Sequence, residues 1–101
     1  MDVYNSEECL NLLQLIEENS NISQRALAKK SGLSLGKVSY CIKALIDIGY
    51  IKMNNFRNSD SKVNYIYLLT PSGIINKALI AKKFLLQKKQ EYDKLKSYIS
   101  K

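Results

Sequence analysis

The sequence has no histidine, no tryptophan, one proline and only two cysteines among 101 residues. Without histidine or a cysteine cluster, the usual zinc ligand sets cannot be assembled and no Ser-His or Cys-His nucleophile pair can exist. Catalysis, a metal and a cofactor are therefore not expected. The neighbouring carboxylates Glu7-Glu8 and Glu17-Glu18 point apart on a helix, which fits solvated surface better than acid–base chemistry. Long hydrophobic runs are missing too: the longest hold four or five residues, against roughly 18 needed to span a bilayer. No membrane partner is expected. The opening MDVYNSEECL is acidic where a secretory signal is basic, so the expected location is cytoplasmic. Cys9 and Cys41 then read as reduced, small core residues.

What is present in excess is positive charge, and it is unevenly placed. The net charge of +7 divides into −5 over residues 1–22, which contain no Lys or Arg, +6 over residues 23–70 and +6 over residues 71–101. An uneven field of this kind steers an anionic partner, whereas an even one only aids solubility. A chain this short supports one small core.

The apolar spacing predicts a helix over residues 6–19, capped by Ser6 and carrying Cys9, Leu12, Leu13 and Ile16 on one face. Ser23 opens a second, short helix to about Lys30, which Gly32 stops. Ser34 caps a third, with Val38, Cys41, Ile42, Leu45 and Ile46 at spacings of three and four, ended by Gly49. From Tyr50 the period changes to that of strands. Ile51, Met53 and Phe56 alternate with polar residues, and YIYLLT follows the polar stretch Arg57 to Asn64, which predicts a hairpin with a projecting, mobile tip. Thr70-Pro71 then starts a long helix of roughly 28 residues. Along it Ile74, Ala78, Ala81, Leu85, Lys88, Tyr92, Leu95 and Ile99 recur at alternating steps of four and three, with Ile75, Leu79, Phe84 and Leu86 widening the stripe. Such a helix outruns one small core and calls for a partner helix.

The fold class expected is mainly α with a small β-hairpin (α+β): a winged helix-turn-helix over residues 1–70, then a coiled-coil-like dimerisation helix over residues 71–101. In QRALAKKSGLSLGKVSYCIK, Ala28 lets two helices approach, Gly32 makes the turn, and Leu27, Leu33, Val38 and Cys41 fill core positions. A helix presenting the face opposite Val38 fits the major groove of duplex DNA, and Ser34, Gly36, Lys37, Ser39, Tyr40 and Lys43 occupy that face. Gln24 and Arg25 at the start of the preceding helix suit phosphate, as do Arg57 and Lys62 on the hairpin. Gly36 costs about 1 kcal/mol of helix propensity, which either marks close approach to DNA or is tolerated in a first turn. The dimerisation set is Ile74, Ala78, Ala81, Leu85, Tyr92, Leu95 and Ile99. Lys88 in that seam either sets register or snorkels out.

The run ISQRALAKKSGLSLGKVSYCIKALIDIGYIKMNNF, followed by YIYLLTPSGI and a Lys-rich helix, resembles the small MarR-family regulators associated with bacterial exopolysaccharide gene clusters, from about Glu8 to Tyr92. The resemblance implies a cytoplasmic, usually dimeric DNA-binding transcriptional regulator that acts on polysaccharide biosynthesis genes; if the long helices pair, two recognition helices would enter successive major grooves of double-stranded DNA about 34 Å apart on a pseudo-palindromic operator. Larger MarR proteins carry an additional N-terminal helix around a ligand crevice. Here the first helix belongs to the core, so dimerisation rests on residues 74–99 and no small-molecule effector is expected. Two other readings remain open from the residues. One is a protein-interaction module using the acidic first helix and the tail; the other is a thiol-sensing regulator acting through Cys41.

Overall fold

In a computed structural model, which describes residues 2–57 and 63–100 and the backbone alone at 56, 57, 63 and 64, every α-helix begins at a hydroxyl cap. A 3-10 turn at Val3–Asn5 leads into α1 (Glu7–Glu18), where Ser6 Oγ accepts from the Cys9 N–H at 3.1 Å. Ser23 does the same for α2 (Gln24–Ser31), Ser34 for α3 (Leu35–Ile48) and Thr70 for α4 (Pro71–Ile99). Each cap satisfies a helix N–H that has no partner within its own helix, typically worth about 1 kcal/mol. Gly32 at φ 77° and Gly49 at φ 84° take the left-handed conformation that stops α2 and α3. The four helices and their punctuation stand where the spacing predicts them.

The hairpin is one antiparallel pair, β1 (Ile51–Arg57) and β2 (Val63–Leu69), in register from Ile51 opposite Leu69 to Arg57 opposite Val63. Its strands run further than side-chain alternation suggests. The polar residues Arg57 and Asn64 belong to the ladder, because backbone groups pair whatever the side chain. Of the projecting tip expected over residues 57–64, Arg57, Val63 and Asn64 belong to the strands instead, and residues 58–62 lie outside the described residues.

Cys9, Leu12, Leu13 and Ile16 of α1 meet Leu27 of α2 and Val38, Cys41 and Leu45 of α3, all at 0–1% exposure. Ile51 and Tyr67 close this core from the hairpin side. Two further ties have no local signature. The Tyr67 N–H donates to the Ser20 carbonyl at 3.0 Å, joining β2 to the α1–α2 connection. Tyr4 stands edge-on to Tyr50 with ring centroids 5.6 Å apart.

Helix α4, about 43 Å long by its rise, touches the core only with its first half. Gly73 and Ile80 are buried and Phe84 is half-buried. Phe84 thus faces inward and does not widen the outer stripe, because residues 73, 77, 80 and 84 share one helical face. Lys77 on that face reaches Gln14 at 2.6 Å and Glu17 at 2.8 Å. Lys88, one turn beyond Phe84, pairs with Glu7 at 3.1 Å. Beyond it the helix projects. The radius of gyration is 16.5 Å, against about 13 Å for a compact domain of this length. Among the described residues no helix is long and apolar enough to cross a membrane.

Candidate nucleic-acid interface

The buried stripe of α3 turns Gly36, Tyr40 and Lys43 outward, and all three are exposed. Tyr40 keeps 60% of its surface open. At the flank, Lys37 lies 3.7 Å from Glu8 of α1, with its ammonium 5.8 Å from the centre of the Tyr40 ring. Its charge is therefore divided between the outer face and α1. Ser34 is exposed, but its hydroxyl oxygen is engaged as the cap, accepting from the Lys37 N–H at 3.1 Å.

On the opposite flank three elements are tied together by one amide. The Ser39 hydroxyl donates to the Gln24 side-chain carbonyl at 2.6 Å, and the Gln24 amide donates to the Tyr67 hydroxyl at 3.0 Å. The structure thus brings Gln24 and Ser39 into contact and makes them a bridge from α3 through α2 to β2. Arg25, one residue on, is exposed. The backbone of Arg57 lies in β1, and nothing is described of its side chain; Lys62 lies outside the described residues.

Between α2, the start of α3 and the hairpin runs an open groove of about 900 Å³, lined by Asn21, Ile22, Ser23, Gln24, Arg25, Leu35, Ser39, Met53, Tyr65 and Tyr67. Strand alternation explains its wall. Met53 opposes Tyr67, and Tyr65 lies two residues before Tyr67, so the three share the face that begins at the core with Ile51 and Leu69. Leu35, Met53 and Tyr65 are 46%, 42% and 50% exposed. Sequence reasoning omits these apolar wall residues, because it looks for charge on the recognition face; the alternation through YIYLL is the signal that could have found them. Guanidinium and hydroxyl groups beside exposed apolar surface can hold a sugar–phosphate strand, with anionic oxygen on one side and sugar on the other.

The thiols are elsewhere. Cys9 and Cys41 are both fully buried, and they sit together across the α1–α3 contact. Burial, and then the hydrogen bond with Cys41, pushes the Cys9 thiol up to about 12. That is the opposite of an activated thiolate. The seven residues of the dimerisation set are all exposed, Ile74 at 53%, Leu85 at 67%, Tyr92 at 63%, Leu95 at 61% and Ile99 at 84%.

Residues 10–52 match the family model for winged helix-turn-helix DNA-binding. No curated protein sequence matches the chain significantly. The fold is similar to that of FabT from Streptococcus pneumoniae, solved in complex with DNA, with a TM-score of 0.60 and 19% identity over 87% of this chain. It is also similar to MepR, a transcription regulator of the Staphylococcus aureus multidrug efflux pump MepA (TM-score 0.59, 17% identity, 94% of this chain). PcaV of Streptomyces coelicolor, solved with its natural ligand, gives a TM-score of 0.57 at 14% identity over 97% of this chain. This chain spans 60% of FabT, 75% of MepR and 81% of PcaV.

Proposed function

We propose that this protein is a MarR-like, sequence-specific transcriptional regulator that binds double-stranded DNA as a homodimer, with residues 1–70 as the DNA-binding unit and residues 71–101 as the dimerisation helix. One observation carries the reading: the outward face of α3, with Gly36, Tyr40 and Lys43 open, stands beside a groove edged by Arg25 and the start of α2. Lys43 and Lys37 would serve guanine acceptors or phosphate, Tyr40 a sugar or thymine methyl, and Arg25 a phosphate. Gln24 and Ser39 hold the hairpin against the recognition helix and contact DNA with their remaining hydrogen-bond capacity. The proposed operator is pseudo-palindromic, matching the two-fold of the dimer. Exopolysaccharide biosynthesis genes are the proposed targets on the sequence resemblance alone, and a cytoplasmic location follows from the role.

Neither competing reading is favoured by a specific observation. Glu7, Glu8 and Glu17 of the acidic helix stand 3.1, 3.7 and 2.8 Å from Lys88, Lys37 and Lys77 of the same chain, which leaves less free charge for a basic partner. The thiols lack the exposure that sensing needs.

Selection from a random duplex library with the purified protein tests the proposal. An enriched inverted repeat, bound with an affinity that falls steeply with salt, is expected. A Lys37→Glu, Lys43→Glu double variant that keeps full affinity for that repeat would overturn it.

A further inference from the structure

A homodimer built on α4 can pair its helices in either direction, and the side-chain volumes along the exposed stripe distinguish the two. The stripe is uneven. Its anchored half carries Ile74 and then the small Ala78 and Ala81, and its projecting half carries Leu85, Tyr92, Leu95 and Ile99. None of these is covered within the protomer. In a parallel pair in register, Ala78 and Ala81 meet their own copies and leave gaps. Tyr92 then crowds the partner's Tyr92, and Lys88 faces the partner's Lys88 in one layer. Gaps and crowding both work against the close packing that stabilises a seam.

Resting on the dimeric reading, we propose that α4 pairs antiparallel with a second copy, about a two-fold axis passing between Leu86 and Gln87. The alternating steps of four and three read the same in both directions, so every layer of the stripe finds a layer of the partner. Ala78 packs against the partner's Leu95 and Ala81 against the partner's Tyr92, small against large each time. Ile74 meets the partner's Ile99. Leu85 meets the aliphatic stem of the partner's Lys88, whose ammonium is drawn to the edge of the seam by its ion pair with Glu7, 3.1 Å away within its own protomer. The projecting half of each helix thereby covers the anchored half of the other. The starts of the two helices stand about 46 Å apart along the stalk, which places the DNA-binding units at its opposite ends.

Disulfide trapping in the full-length protein tests the direction. The native thiols are buried, so introduced ones react alone. Ala78→Cys and Leu95→Cys variants are oxidised mildly, each alone and as an equimolar mixture after subunit exchange, with the mass of the unoxidised protein measured alongside. In the antiparallel pair the two copies of residue 95 are about 25 Å apart, far beyond the roughly 7 Å between Cα atoms that a disulfide spans. Each variant alone is therefore expected to stay unlinked, and the mixture to give a covalent dimer. Self-linking of Leu95→Cys would show parallel helices and overturn the proposal while leaving dimerisation intact. No linking in any sample of dimeric mass would also overturn it. A monomeric mass would remove both the direction and the dimer on which it rests.

Discussion

The Ser39 hydroxyl on the recognition helix donates a 2.6 Å hydrogen bond to the side-chain carbonyl of Gln24, whose amide in turn donates to Tyr67 on the hairpin. This bridge links helix and hairpin, and Tyr67, 4% exposed, is also held by packing independently of its hydroxyl. Tyr67→Phe should therefore leave the fold intact at a cost of about 1 kcal/mol in urea unfolding. It should still weaken operator binding, about two- to fivefold by fluorescence anisotropy, because the hairpin loses its tie to the helix. Unchanged affinity would show that the bridge does not position the hairpin.

Gly36 separates a tolerated glycine from a functional one. A Cβ built there meets nothing within 4 Å. Gly36→Ala should raise stability by up to about 1 kcal/mol through helix propensity. If the first turn of α3 lies against DNA, the same change should weaken binding at least fivefold. A stabilised variant of unaltered affinity would mean the glycine is merely permitted.

Gly73 is the reverse case, since a Cβ on it would overlap the backbone carbonyl of Tyr50, where the first turn of α4 meets the link between α3 and β1. That carbonyl also accepts from the Thr70 N–H at 3.0 Å, so it cannot easily move away. Gly73→Ala should cost about 2–3 kcal/mol, in the range of overpacked cores, read as a lower urea midpoint.

In the proposed complex Glu8 would compete with DNA for Lys37, which it approaches within the protomer. The pair is long at 3.7 Å and its side chains are 39% and 48% exposed, so it contributes little to stability. Glu8→Gln should leave thermal stability within about 0.5 kcal/mol and raise DNA affinity roughly two- to fivefold at low salt. The gain should shrink as salt rises, because the effect is electrostatic.

The buried Cys9 thiol predicts an alkaline limit to stability. Its folded value, about 12, lies above the ordinary thiol value of 9.0, so the folded state holds the proton longer than the unfolded one. The contribution is intact below pH 9 and is lost as pH rises from 9 towards 12, at up to about 1.4 kcal/mol per pH unit. Denaturation between pH 8 and 10.5 should show a steeper loss for the wild type than for Cys9→Val. Equal slopes would show that the thiol is not the group responsible.

The helices, their starts and their stops were legible because their causes are local. Ser6, Ser23, Ser34 and Thr70 cap within three residues of themselves, and Gly32 and Gly49 act at their own φ angles. The outward face of α3 was equally legible, since the position of Val38 implies that of Gly36, Tyr40 and Lys43. The ends of the strands were less so: pairing carried β1 through Arg57, whose side chain gives no strand signal.

Helical period and capping chemistry, written in the order of the residues, were enough to specify a winged helix-turn-helix followed by a long helix with an outer apolar stripe. Tertiary packing alone decided which groups separated by tens of residues would meet. It turned Phe84 inward, joined Gln24 to Tyr67, brought Cys9 beside Cys41 and drew Lys77 to Gln14 and Glu17. The physical reason is range: caps and turns act within about four residues, whereas these contacts depend on how one helix surface settles on another, and no spacing within a single segment records that.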